Sequence, residues 1–214
     1  MNLKKLVTAA VCTMLMAAVA FTAGCGGEKK SDKKVLKVGM ECAYAPYNWS
    51  QTKADGGAVK IAGSNEYAYG YDVMMAKKLA DSMGADLEIH KIEWDGLAPA
   101  VVSGKIDAAI AGMSITSKRK ETVDFTKPYY YATVVALVKK DSEQAKAQSV
   151  ADLKGSVATS QLNTIWYDQI DQVPDVKKLP AIDTVPGMIV ALTSGKCNLI
   201  VTDIPTAKAA AFAN

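Results

Sequence analysis

The chain has 214 residues, 50% of them hydrophobic and 22% charged, an ordinary globular composition that excludes disorder as the default. Its formal charge is +3, from 25 basic and 22 acidic residues, and nothing in that balance points to nucleic acid. A single histidine, His90, and four cysteines without a CxxC or Cys/His cluster leave a zinc site little to work with, so neither metal nor cofactor is expected.

Lys4 and Lys5, an apolar run from Leu6 to Phe21 and then Thr22-Ala23-Gly24-Cys25 read as an export signal over residues 1–24. The run is short for a transmembrane anchor and is interrupted by Thr8 and Thr13. The small residues before Cys25 resemble the lipobox of bacterial lipoproteins, whose cysteine is acylated and becomes the new N-terminus; Thr22 stands where that pattern usually has leucine. Residues 25–34, glycine and charge, then form a flexible tether. Losing Lys4 and Lys5 leaves 23 basic against 22 acidic residues. Cys12 goes with the signal and Cys25 with the lipid, so Cys42 and Cys197 are the only possible pair, each expected to be a free, buried small hydrophobe.

Val35 to Met40 predicts a strand that delivers Glu41 and Tyr44 into a turn at its C-terminal edge. Gln51 to Asn65 reads as a loop or hairpin tip, and Tyr67, Tyr69 and Tyr71 alternate as in a half-buried strand. From Asp72, a candidate cap, Val73, Met74, Ala76, Leu79, Ala80 and Met83 recur at helical spacing until Gly84, with the methionines expected in the core. A strand over Leu87–Ile92, a helix over Leu97–Ser103 and a strand over Ile106–Ala111 continue the alternation, which predicts parallel strands with crossover helices. Thr133–Val138 is a β-branched strand. After it come a short helix from Ser149, a strand over Ser156–Ser160, a polar turn Gln161–Thr164, a helix near Ile165–Gln169 and a short strand at Lys177–Leu179.

The stretch Ala108–Tyr131 holds Arg119, the one arginine among the 25 basic residues. A planar guanidinium presents a fixed fork of donors that matches a carboxylate or phosphate and that lysine cannot imitate. Taken alone it fits a solvated turn equally well. Beside it, however, an apolar run ends in Gly112, Ser114 and Thr116, and strand ends that open into polar turns are where open α/β sheets bind small molecules. A second pattern is internal: Ala100–Gly112 (AVVSGKIDAAIAG) and Ala191–Asp203 (ALTSGKCNLIVTD) both read as helix end, Ser-Gly-Lys, strand, turn. That echo predicts two similarly built lobes, with Gly112 and Asp203 at equivalent strand ends.

From Leu36 onward the chain resembles the polar amino-acid binding proteins that feed ABC importers, a branch of the type II periplasmic-binding fold. YAPYNW (Tyr44–Trp49), YGYDVMMAKKLA (Tyr69–Ala80), WDGLAPAVVSGKID (Trp94–Asp107), AGMSITSKRKETVDFTKPYY (Ala111–Tyr130) and DLKGSVAT (Asp152–Thr159) carry the likeness, with the second SGK and the TD ending at Asp203. It implies an α/β, two-lobed fold of mostly parallel sheets flanked by helices: lobe one over 35–134, a crossover hinge at 135–140 and lobe two over 141–214. It also implies that Arg119 grips a ligand carboxylate with Ser114, while Asp203 and the Gly112 carbonyl take the ammonium. Tyr44 and Trp94 would wall the ligand, Glu41 would sense its side chain, and Gln161 and Thr164 would approach the carboxylate from lobe two. Asn163 stands where many relatives carry glycine.

The implied protein is a monomer that captures a small polar L-amino acid and delivers it to ABC transporter permease subunits. It would be exported and held at the outer face of the cell membrane by the lipid on Cys25. Competing readings are an enzyme on the same fold, dehydratase-like or murein-cleaving, and the ligand-sensing domain of a signalling system. Gly112–Thr116 lacks the second glycine of a nucleophile elbow, and neither SGK sits in a phosphate-binding loop, so no catalytic residue is assigned. Only 11 residues follow Asp203, and the resemblance implies a further strand and helix returning to lobe one, so a truncated second lobe is expected.

Overall fold

The computed structural model describes residues 34–213. The signal segment 1–24, Cys25 and the tether short of Lys34 lie outside the described residues. Strand β1 (Val35–Met40) leads into the short strands β2 (Ala43–Tyr44), β3 (Asn48–Gln51), β4 (Val59–Lys60) and β5 (Tyr67–Tyr69). Helix α1 (Tyr71–Met83) connects to β6 (Asp86–Lys91), and α2 (Leu97–Val102) to β7 (Ala108–Ala109). After the short helix α3 (Ser117–Lys120) come β8 (Val134–Leu137), β9 (Val157–Thr159), α4 (Ile165–Gln169) and β10 (Lys177–Lys178). Helix α5 (Val185–Thr193), β11 (Leu199–Asp203) and α6 (Ile204–Ala213) are the last of the described elements.

These strands make three sheets. β6-β1-β7 is wholly parallel, and β10-β9-β11-β8 is parallel except for β8, which runs antiparallel along β11 from Val134 opposite Asp203 to Leu137 opposite Ile200. The third, β2-β3-β5-β4, is antiparallel and occupies the region predicted as a turn, a loop and one strand. Aromatic pairing across it, Trp49 against Tyr69 at 5.0 Å, supplies contacts that short strands need.

The internal echo is realised hydrogen bond by hydrogen bond. Ser103 Oγ donates to the Ala100 carbonyl and Ser194 Oγ to that of Ala191, each at 3.2 Å, and the amides of Ile106 and Cys197 reach the same two carbonyls at 3.3 Å. Asp107 accepts from the Lys37 amide of β1 at 2.8 Å; Asn198 accepts from the Val157 amide of β9 at the same distance. In both places an Asx side chain locks the crossover connection onto the neighbouring parallel strand. Cys42 and Cys197 are free and buried.

One core lies between β1, β6, α1 and α2, where Val38, Met40, Ile89, Leu97, Val73, Ala76 and Ala80 meet. A second holds Ala158, Trp166, Ile170, Leu199 and Val201. A third packs Tyr44 and Tyr47 with Val185, Met188, Leu192 and Ile200. Three expectations are corrected. Met74 and Met83 are 50% and 53% exposed, because α1 seats its sheet-facing side with Val73, Ala76 and Ala80, whose small size permits close approach. Asp72 is not the helix cap: Gly70 holds that position and Asp72 is buried one residue into α1. The strand expected over Ile106–Ala111 contracts to two residues, since Gly112 already turns at φ +59°.

Gly70 has φ +127°, and a Cβ there would stand 2.3 Å from the Tyr47 carbonyl oxygen. Backbone cannot yield as a side-chain tip can. Gly70→Ala is expected to lower stability by about 2 kcal/mol or more, read as a drop in the urea midpoint at unchanged slope.

Candidate functional site

Parallel strands bring their C-terminal ends to one edge of a sheet, where the following turns are free to present side chains. In the first sheet β1 runs out into Glu41–Tyr47 and β7 into Gly112–Ser114; in the second, β9 runs out into Ser160–Thr164 and β11 ends on Asp203. Of the residues singled out in the sequence, all but Arg119 and Trp94 lie on these ends, and three sets of contacts join the earlier turns to the later ones.

Arg119 sits in α3, whose cap Thr116 accepts the Arg119 amide at 3.2 Å. Its Nη1 donates to the Ser114 carbonyl at 2.6 Å and its Nη2 to the Asn163 carbonyl at 2.8 Å, while the guanidinium lies 5.3 Å over the Trp94 ring. Asn163 adopts φ +53° and its side-chain amide donates to Asp95 at 2.9 Å, which aims its carbonyl at the arginine. Among the described residues no carboxylate pairs with Arg119. Burial draws its pKa down from the ordinary value, the direction expected for a desolvated cation that only neutral dipoles face.

Asp203 is completely buried. Its Oδ2 accepts from the Tyr44 hydroxyl and from Thr206 Oγ1 at 3.0 Å, and its Oδ1 from the Thr206 amide at 2.9 Å and the Tyr47 hydroxyl at 3.3 Å. The two tyrosine rings stack at 4.7 Å. Burial first, and then the Asp203 charge, push both tyrosine pKa values far up, so each hydroxyl stays a donor. Glu41, only 3% exposed, receives Gln161 Nε2 on both oxygens at 3.1 and 3.0 Å, and the same nitrogen reaches the Asp183 carbonyl at 3.0 Å. Thr164 Oγ1 donates to the Gln161 carbonyl at 2.7 Å.

A cavity of about 250 Å³ is lined by Tyr44, Tyr47, Gly112, Ser114, Tyr129 and Trp166. A larger one of about 620 Å³ is lined by Thr116, Arg119, Asn163, Thr164, Tyr167 and Asp168. Tyr44, Gly112 and Ser114 thus share one space and Arg119 and Thr164 another, with Trp94 beneath Arg119 and with Glu41, Gln161 and Asp203 in buried pairs. Ser114 meets Arg119 through its carbonyl, and the Gly112 amide donates to the Tyr129 hydroxyl at 3.0 Å. Gly112 must be glycine, since a Cβ at its φ of +59° would lie 2.8 Å from the Tyr44 ring. Sequence reasoning missed Tyr47 as the second hydroxyl on Asp203; its spacing of three from Tyr44, around a proline, was the available signal. Among the described residues no three His, Cys, Asp or Glu side chains converge to hold a metal ion.

Burial pushes the Glu41 carboxyl from its ordinary 4.5 up to about 6, against the opposing hydrogen bond from Gln161. The folded protein therefore holds this proton more tightly than the unfolded chain does. The stabilisation by protonated Glu41 is complete below pH about 4.5 and is lost as pH rises through about 6, a decline on the order of 2 kcal/mol. Glu41→Gln keeps an acceptor for Gln161 and removes the charge. Calorimetric melting should show the variant more stable than the parent at pH 7 by about 1–2 kcal/mol and without this decline.

The model of the bacterial extracellular solute-binding proteins, family 3, matches residues 36–178. A probable histidine-binding protein of Campylobacter jejuni is 31% identical over 81% of this chain and 61% of its own length. The arginine-binding protein 1 of an Escherichia coli K12 ABC transporter is 30% identical over 94% of this chain and 72% of its own. The arginine-bound form of a truncated arginine-binding protein from T. maritima superposes with a TM-score of 0.70 at 29% identity, covering 84% of this chain and 78% of that one. The chain therefore spans about six-tenths of the length of the first of these relatives. A repeated helix-to-strand crossover, parallel sheets that end on facing polar turns and a family match over residues 36–178 lead to one assignment: the chain belongs to the bacterial extracellular solute-binding proteins, family 3.

Proposed function

We propose that the chain captures a polar L-amino acid between two lobes, 35–134 and 141–214, that close about the crossover at 135–140. The observation that carries this reading is Arg119: a half-buried guanidinium whose fork meets a carbonyl from each lobe and no carboxylate among the described residues. A ligand carboxylate is a better partner than two neutral dipoles, because it brings a full opposite charge and two oxygens that match the planar fork. Asp203 is the complementary seat for the ligand ammonium, which would take over the places of the Tyr44 and Tyr47 hydroxyls. Glu41 and Gln161 would face the side chain, which favours a cationic or amide-bearing amino acid. Tyr44 and Trp94 would flank the ligand, and Gly112, Ser114 and Thr164 would share its polar ends.

A zwitterion needs both charges, and the two seats belong to different lobes, so closure and binding are coupled. The ligand would then pass to the permease subunits of an ABC importer, a reading supported by the relative named as an ABC transporter arginine-binding protein. The basic, apolar stretch up to Cys25 supports export and lipid anchoring at the outer membrane face, with the folded part acting as a monomer. Among the described residues no helix is long and apolar enough to cross a membrane.

A thermal-shift screen against L-arginine, L-histidine, L-glutamine and L-cystine tests the ligand class; at 100 times its dissociation constant a true ligand adds about 2.7 kcal/mol of stability. Arg119→Lys should weaken the best of them by about 100-fold or more in calorimetry, since lysine cannot reproduce the fork. Near-parental affinity in that variant would remove Arg119 from the site.

A further inference from the structure

A carboxylate that touches no cavity joins two turns of the candidate site. Asp72 is fully buried in the first turn of α1, where its amide donates to the Tyr47 carbonyl at 2.8 Å. Its Oδ2 accepts Asn48 Nδ2 at 2.7 Å, and Asn48 Oδ1 accepts the Cys42 amide at 2.8 Å. Its Oδ1 accepts the Tyr129 hydroxyl at 2.7 Å, and that hydroxyl accepts the Gly112 amide at 3.0 Å. The two amides at the ends of this relay belong to residues of similar backbone: Cys42 at φ +57° and Gly112 at φ +59°. Left-handed backbone is costly for a side chain such as that of Cys42, so it persists only where its surroundings hold it.

We propose that Asp72 is a positioning residue that holds both strand-end turns of the binding site, through Asn48 to Cys42 and through Tyr129 to Gly112. The proposal rests on the amino-acid-binding reading above. Cys42 stands between Glu41 and Tyr44; Gly112 stands two residues before Ser114, whose carbonyl orients Arg119. One carboxylate thereby sets five candidate ligand residues, Glu41, Tyr44, Gly112, Ser114 and Arg119, without touching the ligand.

The chemistry requires an acceptor without a proton of its own. Asn48 and Tyr129 both donate to Asp72, which commits the one Tyr129 proton and leaves the Tyr129 oxygen lone pairs facing Gly112. Asparagine at 72 would set an NH₂ against one of these donors. If Tyr129 turned its proton away in response, it would meet the Gly112 N–H donor to donor. The swap Asn48→Asp with Asp72→Asn restores every bond: the new carboxylate accepts from Cys42 and from the new amide, whose oxygen accepts from Tyr129.

The test uses the full chain, with amide hydrogen exchange on the ligand-free protein and calorimetric titration with L-arginine. Asp72→Asn should accelerate exchange of the Cys42 and Gly112 amides by about tenfold or more while the Val38 and Ile89 amides of the sheet hold, and should weaken L-arginine about tenfold or more. The double swap should recover both properties, and Tyr129→Phe should release Gly112 alone. Should Asp72→Asn not fold, the swap and Tyr129→Phe decide. Unchanged exchange at both turns, loss spread uniformly over the sheet, or a folded double swap without recovery would overturn the proposal. Absence of L-arginine binding by the parent chain would instead count against the arginine-class ligand, and the exchange data would still decide what Asp72 holds.

Discussion

A charge taken out of water must find a partner, and much of this molecule is arranged around four groups in that position. Asp203 and Asp72 are completely buried, Glu41 nearly so, and Arg119 is half covered. Each is satisfied by side-chain hydroxyls, amides or carbonyls of its own chain, because leaving one bare would cost several kcal/mol. The solutions differ in kind. Asp72 is held by Asn48 and Tyr129 in a network that no ligand needs to enter, whereas the partners of Arg119 and Asp203 are groups that a ligand's own charges could replace.

The fold makes that arrangement possible. Two helix-to-strand crossovers with the same Ser-Gly-Lys turn build parallel sheets whose strand ends carry the polar turns, and β8 ties the second sheet back to the chain of the first. Tyr44 and Tyr47 have a double part: their rings join an apolar cluster with α5, and their hydroxyls fill the place on Asp203 proposed for a ligand ammonium. In the proposed cycle, binding therefore exchanges internal bonds between an ion and a neutral group for pairs of opposite charge instead of creating contacts from nothing. Glu41 is buried in the same way, and its carboxyl, bonded by Gln161 on both oxygens, is still pushed up to about 6 by that burial.

Much of this was legible in the sequence, for reasons that can be named. Arg119 was visible as the one arginine in a lysine-rich chain, and the paired crossovers were visible as a repeated tripeptide with matching periodicity. Local chemistry dictated both. Asp72 was misread as a cap because a carboxylate at a helix start usually serves the helix, and only the folded chain brings Asn48 and Tyr129, distant in sequence, to its two oxygens. Met74 and Met83 were assigned to the core because periodicity reports a stripe of apolar residues without its width; contact with the sheet selected the small alanines.

The central claim is that one ligand is held by both of its backbone charges, one in each lobe. It is tested most directly by editing the ligand: titrate the tightest-binding amino acid, its methyl ester and its analogue without the α-amino group against the same protein. A two-ended clamp predicts that losing either charge weakens binding by about 100-fold or more. Retention of full affinity by either edited ligand would contradict it.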